Sequence, residues 1–300
     1  MSSCGSAPSG VWRASRGLRI ATIQKAFVIS ALNCWSNVCK MKVSLLLKSM
    51  IVGSPLESAA RRFRQYLATT WPNLELAEVL LEERQLPLVL SRVLSRTSNV
   101  LDVGCHIGSF LSLVRQIAPD GRHVAVEASP VKARMLSQKF SDVQIKQIAI
   151  SDRCGTAMFE DNLVHPGFSR LQGDHPSERC VKVYELTTAT LDSLDLGSFD
   201  LVKLDIEGAE LAALRGGNEF FKAHRPAIIF ECGAAANAGL DRSALFDHLV
   251  MEMRYEVFTF GDFLYRKGPL SADEFRKCGI YPFKAFNFLA IPSMATNSAS

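Results

Sequence analysis

Long apolar runs are missing from this 300-residue sequence, in which apolar residues make up 48% and charged residues 21%. The longest apolar stretches are interrupted by Lys25, Lys48 or Arg254. None of them therefore reaches the roughly 18 to 20 residues that a membrane-spanning helix needs. The balance of apolar and charged residues also excludes disordered and collagen-like chains. We therefore expect a globular protein without a membrane span.

Acidic residues are absent from the first 56 positions, which contain seven lysines and arginines. Subtracting these seven charges from the formal net charge of +4 leaves −3 on residues 57–300. An enzyme that acts on nucleic acid is expected to spread basic residues over its folded domain. Here the basic excess lies in one terminal segment, so nucleic acid is not an expected partner.

Three interpretations of the Ser-rich, basic segment 1–50 stay open. It is a mis-assigned start with Met41 as the true first residue, an organelle-targeting segment, or a disordered basic leader. We interpret 51–95 as an N-terminal helical segment, 96–292 as the main domain and 293–300 as a disordered tail.

The eight cysteines form no compact framework, because they are scattered along the whole chain. Disulfide-rich secreted domains concentrate their cysteines, so free thiols in a reducing cytoplasm are the better interpretation. Cys34 and Cys39 are not accompanied by a second Cys or His pair at zinc-site spacing. The sequence thus predicts a cytoplasmic protein without a metal site.

Two helices are predicted before the main domain. Ser54, Pro55 and Glu57 have the spacing of a capping box, and a second helix is expected over 76–94 with an interruption near Pro87. From Asn99 onward, short apolar runs alternate with amphipathic segments, a βαβ rhythm that predicts a mainly parallel sheet covered on both faces. The predicted strands are 100–103, 123–127, 143–150, 201–204, 227–231, 255–260 and 287–291, with a short hairpin near 154–159 and a separate run at 181–186. The predicted helices are 109–118, 130–140, 209–223 and 243–253.

The first predicted strand ends in a D-x-G-x-x-x-G turn that leads into a helix. Glycine lets the backbone turn sharply and approach a ligand, and the start of a helix offers unpaired amides. A dinucleotide site would need a glycine where His106 stands. The turn with its preceding acid suits a ligand that has a cationic amino acid end, such as S-adenosylmethionine. The candidate cofactor-binding residues here are Asp102, Gly104, Cys105, His106 and Gly108.

Two further strand ends supply candidate contacts to the same ligand. Glu127 closes the second predicted strand 23 residues after Gly104, where nucleotide-binding folds place a carboxylate on ribose hydroxyls. Ser151 and Asp152 follow the third predicted strand, at the position that corresponds to the adenine.

Acidic residues cluster after the strand predicted over 201–204. Asp205, Glu207 and Glu210 lead into the next helix, and Glu231 ends the strand predicted over 227–231. Ligands of open α/β sheets bind at the carboxyl ends of strands, where such acids can orient a hydroxyl or remove its proton. We take Asp205, Glu207 and Glu210 as candidate catalytic residues in a scheme that requires no metal, and binding of Mg²⁺ by these acids stays open as an alternative. The polar segment 161–180 is predicted to be a loop that closes over the site, and its His165 is a further candidate base.

These motifs resemble those of the FkbM-type methyltransferases, class I enzymes that depend on S-adenosylmethionine. The resemblance spans 96–292 and is carried by LDVG at 101–104 with Gly108, EASP at 127–130, AISD at 149–152, TLD at 190–192, KLDIEGAE at 203–210 and RPAIIFE at 225–231. It implies a Rossmann-like, seven-stranded sheet with an antiparallel last strand, and methyl transfer to a hydroxyl of a sugar or polyketide-like metabolite. Cys105 and His106 depart from the Ala-Asn pair of the family, so we expect backbone amides rather than an Asn side chain to contact the cofactor.

Two other functions stay open at this point. A non-catalytic module that binds the cofactor would keep the glycine turn but would not need acids at neighbouring strand ends. An NAD-dependent oxidoreductase would share the sheet and Glu127, but it requires the missing third glycine. The expected acceptor is a small molecule or a glycan, and the oligomeric state is left open.

Overall fold

The computed structural model describes residues 50–54, 56, 57, 59, 60, 62, 74–162, 170, 171, 181–233 and 241–293. The predictions for the segment 1–49, for His165 and for 294–300 lie outside these described residues. So does most of the loop predicted over 161–180.

Eleven strands lie in the described part of the chain. In chain order they are β1 (Val100–Val103), β2 (His123–Val126), β3 (Gln144–Lys146), β4 (Ala149–Ile150), β5 (Gly155–Asn162), β6 (Arg170–Leu171), β7 (Val181–Ala189), β8 (Leu201–Leu204), β9 (Ala227–Glu231), β10 (Tyr255–Thr259) and β11 (Asn287–Pro292).

Seven of these strands form the central sheet, in the order β10-β11-β9-β8-β1-β2-β3. From β9 to β3 the neighbouring strands are parallel, whereas β11 runs antiparallel to both of its neighbours. The predicted mainly parallel seven-stranded sheet with an antiparallel last strand is therefore confirmed. Because the parallel strands end at one edge of the sheet, the loops that follow them converge there.

A second sheet has the order β4-β7-β5-β6 and corrects the strand predicted over 143–150. That run is divided between two sheets, because β3 pairs with β2 while β4 pairs with the end of β7. Strand β5 pairs with β7 over its whole length and with β6 at its far end, so part of the predicted loop 161–180 is strand instead. An apolar run alone does not reveal where a chain leaves one sheet for another.

Eight α-helices complete the described elements: α1 (Leu74–Val93), α2 (Ser109–Ile117), α3 (Pro130–Lys139), α4 (Glu210–Arg215), α5 (Asn218–His224), α6 (Arg242–Asp247), α7 (Phe260–Leu264) and α8 (Ala272–Cys278). The helix predicted over 209–223 is two helices, separated at Gly216 and Gly217. A π-helical turn, His248–Glu252, continues α6. Phe260 begins α7 instead of ending a strand, because the Thr259 side chain caps that helix.

The N-terminal predictions hold only in part. Helix α1 continues through Pro87, so the predicted interruption is wrong. Its Val89 and Leu90 are fully buried against the sheet, and tertiary packing of this kind outweighs the local cost of a proline. The capping box also differs from the prediction, because the Ser54 hydroxyl accepts from the Leu56 amide. Glu57 accepts instead from the Gly53 amide and the Ser112 hydroxyl, at 2.6 and 2.9 Å.

Both faces of the central sheet are covered. Helix α1 and Phe110 of α2 pack with Ile229 and Leu289 on one face. On the other face, Phe230 and Phe288 stack beside Phe275 of α8 within the largest core cluster. None of the helices in the described residues is long and apolar enough to cross a membrane.

Candidate functional site

A cavity of about 220 Å³ opens at the carboxyl edge of the central sheet. Its polar wall carries four acidic residues and one basic residue, namely Glu127, Asp205, Glu207, Glu231 and Lys132. Its apolar wall includes Ile148 from the connection between β3 and β4, Ile150 from β4 and Phe159 from β5.

The turn after β1 requires glycine at position 104. Gly104 has a φ of +82°, and a Cβ there would lie 1.8 Å from the carbonyl oxygen of Asp205. Any side chain would force the ends of β1 and β8 apart. Gly104 and His106 both line the cavity.

Glu127 is held in the cavity wall by backbone amides from two loops. One carboxylate oxygen accepts from the Ser129 amide and the other from the His106 amide, each at 2.9 Å. Ser129 caps α3, so the helix start, the glycine turn and the carboxylate share one hydrogen-bonded arrangement. A carboxylate fixed in this way has a defined orientation before any ligand binds.

A buried lysine links two of the acids. The Nζ atom of Lys203 lies 2.7 Å from Asp205 Oδ2 and 3.8 Å from Asp102 Oδ1. Asp102 is 0% exposed, and burial raises its pKa to about 6 despite the nearby lysine. Burial opposes charge on Lys203, but Asp205 and Asp102 outweigh it and raise the lysine pKa. Burial also opposes ionisation of Asp205, yet Lys203 lowers that pKa below its ordinary value. Lys203 and Asp205 are therefore an ion pair at neutral pH.

Asp205 also lies beside Glu231 at the cavity wall, because Leu204 and Phe230, which precede them, are paired in β8 and β9. Burial and the charge of Asp205 raise the pKa of Glu231 well above its ordinary value. A raised pKa favours the protonated form of Glu231, which can donate a hydrogen bond to a carboxylate. The cavity thus contains two neighbouring carboxyls whose pKa values are shifted in opposite directions.

Glu207 and Glu210 have different positions although they are only three residues apart. Glu207 lines the cavity, and burial together with Asp205 raises its pKa to about 8. Glu210 is 1% exposed, and its carboxylate accepts from the Ile206 and Gly208 amides at 3.0 Å each. Glu210 thus holds the loop that carries Glu207, and burial raises its pKa to about 7.

A family model for the methyltransferase FkbM domain matches residues 102–260, which include the glycine turn, Glu127 and the acidic cluster. The chain belongs to the FkbM methyltransferase family. None of the curated proteins compared with it matches significantly.

Solved methyltransferase structures resemble this FkbM methyltransferase at low identity. The methyltransferase FkbM from Methylobacillus flagellatus KT is 14% identical with a TM-score of 0.42, over 66% of this chain and 44% of that chain. A TehB-like SAM-dependent methyltransferase from Corynebacterium glutamicum is 12% identical with a TM-score of 0.36, over 79% and 97%. PKMT2 from Rickettsia typhi, in complex with AdoHcy, is 14% identical with a TM-score of 0.31, over 56% and 27%. The chain thus spans less than half of the M. flagellatus protein.

S-adenosylmethionine is the cofactor of this FkbM methyltransferase, and the cavity fits it. Gly104, which has no side chain, lines the cavity beside Glu127. The fixed Glu127 carboxylate suits a pair of hydroxyls, and the apolar wall suits a flat heterocycle. The family assignment also decides against the NAD-dependent oxidoreductase and the non-catalytic module.

Several predicted site residues lie outside the cavity wall of the described structure. Cys105 is buried among Leu111, Leu136 and Phe140, and burial raises its pKa well above the ordinary value. Gly108 lies against the same ring, because a Cβ there would be 2.5 Å from Phe140 Cε2. Ser151 and Asp152 follow the apolar wall, and Asp152 is exposed beside Arg153. His165 is not among the described residues.

Sequence reasoning assigned no role to Lys203 or to the Glu231 proton. The signal for Lys203 was its position two residues before Asp205, since alternate residues of a strand face the same side. No group of three or more His, Cys, Asp or Glu side chains in the described ranges is placed to hold a metal ion.

Proposed function

We propose that this FkbM methyltransferase transfers a methyl group from S-adenosylmethionine to a hydroxyl oxygen of a sugar or polyketide-like acceptor. The observation that carries the proposal is that Asp205 and Glu231 lie side by side in the cavity wall, at the ends of β8 and β9. An ionised carboxylate beside a protonated one offers both an acceptor and a donor to a hydroxyl.

The cofactor would lie along the β1 and β2 side of the cavity. Backbone groups of Gly104 and His106 would hold its amino acid end, Glu127 its ribose hydroxyls, and the apolar wall with Ile150 and Phe159 its adenine. When bound, the cofactor supplies a methyl group activated by a positively charged sulfur.

Asp205 would act mainly by orienting the acceptor. Lys203 keeps it ionised and stabilises it, which makes it a good hydrogen-bond acceptor but a weak base. Holding the hydroxyl in line with the methyl group gives effective molarities of roughly 10⁵ to 10⁸ M for well-oriented reactions. Orientation therefore contributes more than proton removal, which gives about 10² to 10⁴-fold.

Glu207 would receive the hydroxyl proton. Its pKa of about 8 lies near neutral pH, where a base combines adequate strength with a sufficient ionised fraction. Because only the ionised form accepts a proton, turnover should rise as the pH increases through about 8. Glu210 would support this role by holding the loop, and His165 stays a further candidate base.

Product analysis with a panel of acceptors tests the proposal. The protein is incubated with isotopically labelled S-adenosylmethionine and with matched alcohols and amines, including glycosides and polyketide-like alcohols. Carbon-13 NMR then identifies the methylated atom. An O-methyl product supports the proposal, and label found only on nitrogen or carbon would contradict it.

A further inference from the structure

Helix α1 carries a buried carboxylate that lies at the carboxyl edge of the sheet. This helix precedes the residues that the family model matches. Glu82 is 5% exposed. Its Oε1 accepts from the Phe286 and Asn287 amides at 2.7 and 3.0 Å, and its Oε2 accepts from Asn287 Nδ2 at 2.8 Å. Three donors from two adjacent residues therefore converge on one side chain.

These two residues lie opposite Glu231 and Cys232. Asn287 pairs with Glu231 in the antiparallel register of β11 and β9, and the Cys232 amide donates to the Phe286 carbonyl at 2.8 Å. Paired strands lie only about 4.8 Å apart, so movement of the start of β11 moves the end of β9 with it. Glu82 thus fixes the strand end against which Glu231 is placed.

We propose that Glu82 is a positioning residue for methyl transfer, which holds Glu231 beside Asp205 in the cavity wall through Asn287 and β11. The inference rests on the proposed function, in which Asp205 and Glu231 contact the acceptor. It makes α1 a part of the active site rather than only a cover for the sheet.

The start of β11 needs an acceptor here, because an apolar side chain at position 82 would leave the Phe286 and Asn287 amides without this partner. Burial raises the pKa of Glu82, while the three donors oppose that shift. The bonds to Phe286 and Asn287 thus fix the start of β11 against α1.

Glu82→Gln removes one acceptor and places an amide against at least one of the three donors. We expect kcat to fall about 10- to 100-fold, because a displacement of about 1 Å in an active site costs on the order of 10²-fold. The dissociation constant for S-adenosylmethionine, measured by calorimetry, should stay close to that of the wild type. Glu78→Gln is the matched control, since it makes the same change one turn earlier on α1 without removing a bond to β11.

Two readouts separate positioning from general destabilisation. In a Glu231→Gln background, the loss of kcat caused by Glu82→Gln should disappear, because the position of Glu231 no longer matters. Carbon-13 NMR of labelled glutamate carboxyls should show the Glu231 pKa falling towards its ordinary value in Glu82→Gln but not in Glu78→Gln.

If Glu82→Gln does not fold, Asn287→Ala removes the Nδ2 bond alone and should produce the same changes to a smaller extent.

An unchanged Glu231 titration in a folded Glu82→Gln variant would overturn the inference, as would an equal loss of kcat in both backgrounds. The titration does not depend on the identity of the acceptor. A wild-type protein that fails to methylate hydroxyls, but in which Glu231 responds to Glu82→Gln, would count against the proposed function and in favour of this positioning role.

Discussion

The β1–β2 side of the cavity and its β8–β9 side are built from different kinds of contact. On the first side, backbone amides within a short stretch of chain hold Glu127, and Gly104 permits the close turn. On the second side, the Lys203 ammonium and the Glu231 carboxyl hold Asp205, and the strand end beside them depends on Glu82 from α1. The first side is thus a local structure, and the second depends on side chains far apart in sequence.

The largest expected effect comes from filling the glycine turn. Gly104→Ala should abolish measurable binding of S-adenosylmethionine in calorimetry, because even a methyl group overlaps the Asp205 carbonyl. Gly197→Ala is the control, since Gly197 also has a positive φ but a Cβ there meets its nearest neighbour at 3.4 Å. Equal affinity in both variants would show that the close approach of β1 and β8 is not needed for binding.

Removing the buried cation should give the next largest effect, on stability. Lys203→Met leaves Asp102 and Asp205 without their partner, and breaking a buried ion pair in this way costs about 3 to 5 kcal/mol. Urea unfolding measures the loss. Lys222→Met, which removes an exposed lysine paired with Glu219, should change the unfolding free energy by less than about 1 kcal/mol. Similar losses of unfolding free energy in Lys203→Met and Lys222→Met would show that the buried lysine does not stabilise the β8–β9 side of the cavity.

A smaller effect on turnover is expected for the orienting carboxylate. Asp205→Asn should lower kcat by about 10²-fold, the lower end of what a positioned acid or base contributes. Its affinity for S-adenosylmethionine should change little, because Gly104 and Glu127 are intact. Asp120→Asn, at an exposed ion pair with Arg96, is the control. Wild-type turnover of Asp205→Asn on an identified acceptor would remove Asp205 from the mechanism.

The smallest effect is expected in the pH dependence of stability. The folded pKa of Glu207, about 8, lies above its ordinary value of 4.5, so the folded state holds a proton that the unfolded state releases. This contribution is fully present below about pH 4.5 and is lost as the pH rises through about 8. Glu207→Gln should therefore reduce the fall in unfolding free energy between about pH 5 and 9 by roughly 1 to 3 kcal/mol. If the unfolding free energies of Glu207→Gln and the wild type fall equally with pH, the raised pKa of Glu207 is contradicted.

The difference between the β1–β2 and β8–β9 sides of the cavity also explains which features could be predicted from the sequence. The glycine turn and Glu127 are recognisable because strand, turn and helix follow one another within a few residues. The separation of β3 from β4 could not be predicted, because it depends on pairing with β7 almost forty residues later. Glu82 could not be predicted either, since its partners are 204 and 205 residues away. The sequence predicts Glu210 to be catalytic because it lies close to Asp205 and Glu207. Only the folded backbone shows that its carboxylate accepts from amides of its own loop.

The chain enters and leaves the second sheet at the same place, because the Ser151 amide donates to the Ala189 carbonyl at 2.9 Å. The two ends of the segment 151–189 therefore adjoin, and between them Phe159 of β5 contributes to the cavity wall. Lengthening a loop costs little additional closure entropy. A change in the length of this segment would therefore act on the cavity through Phe159 and not through the closure of the central sheet.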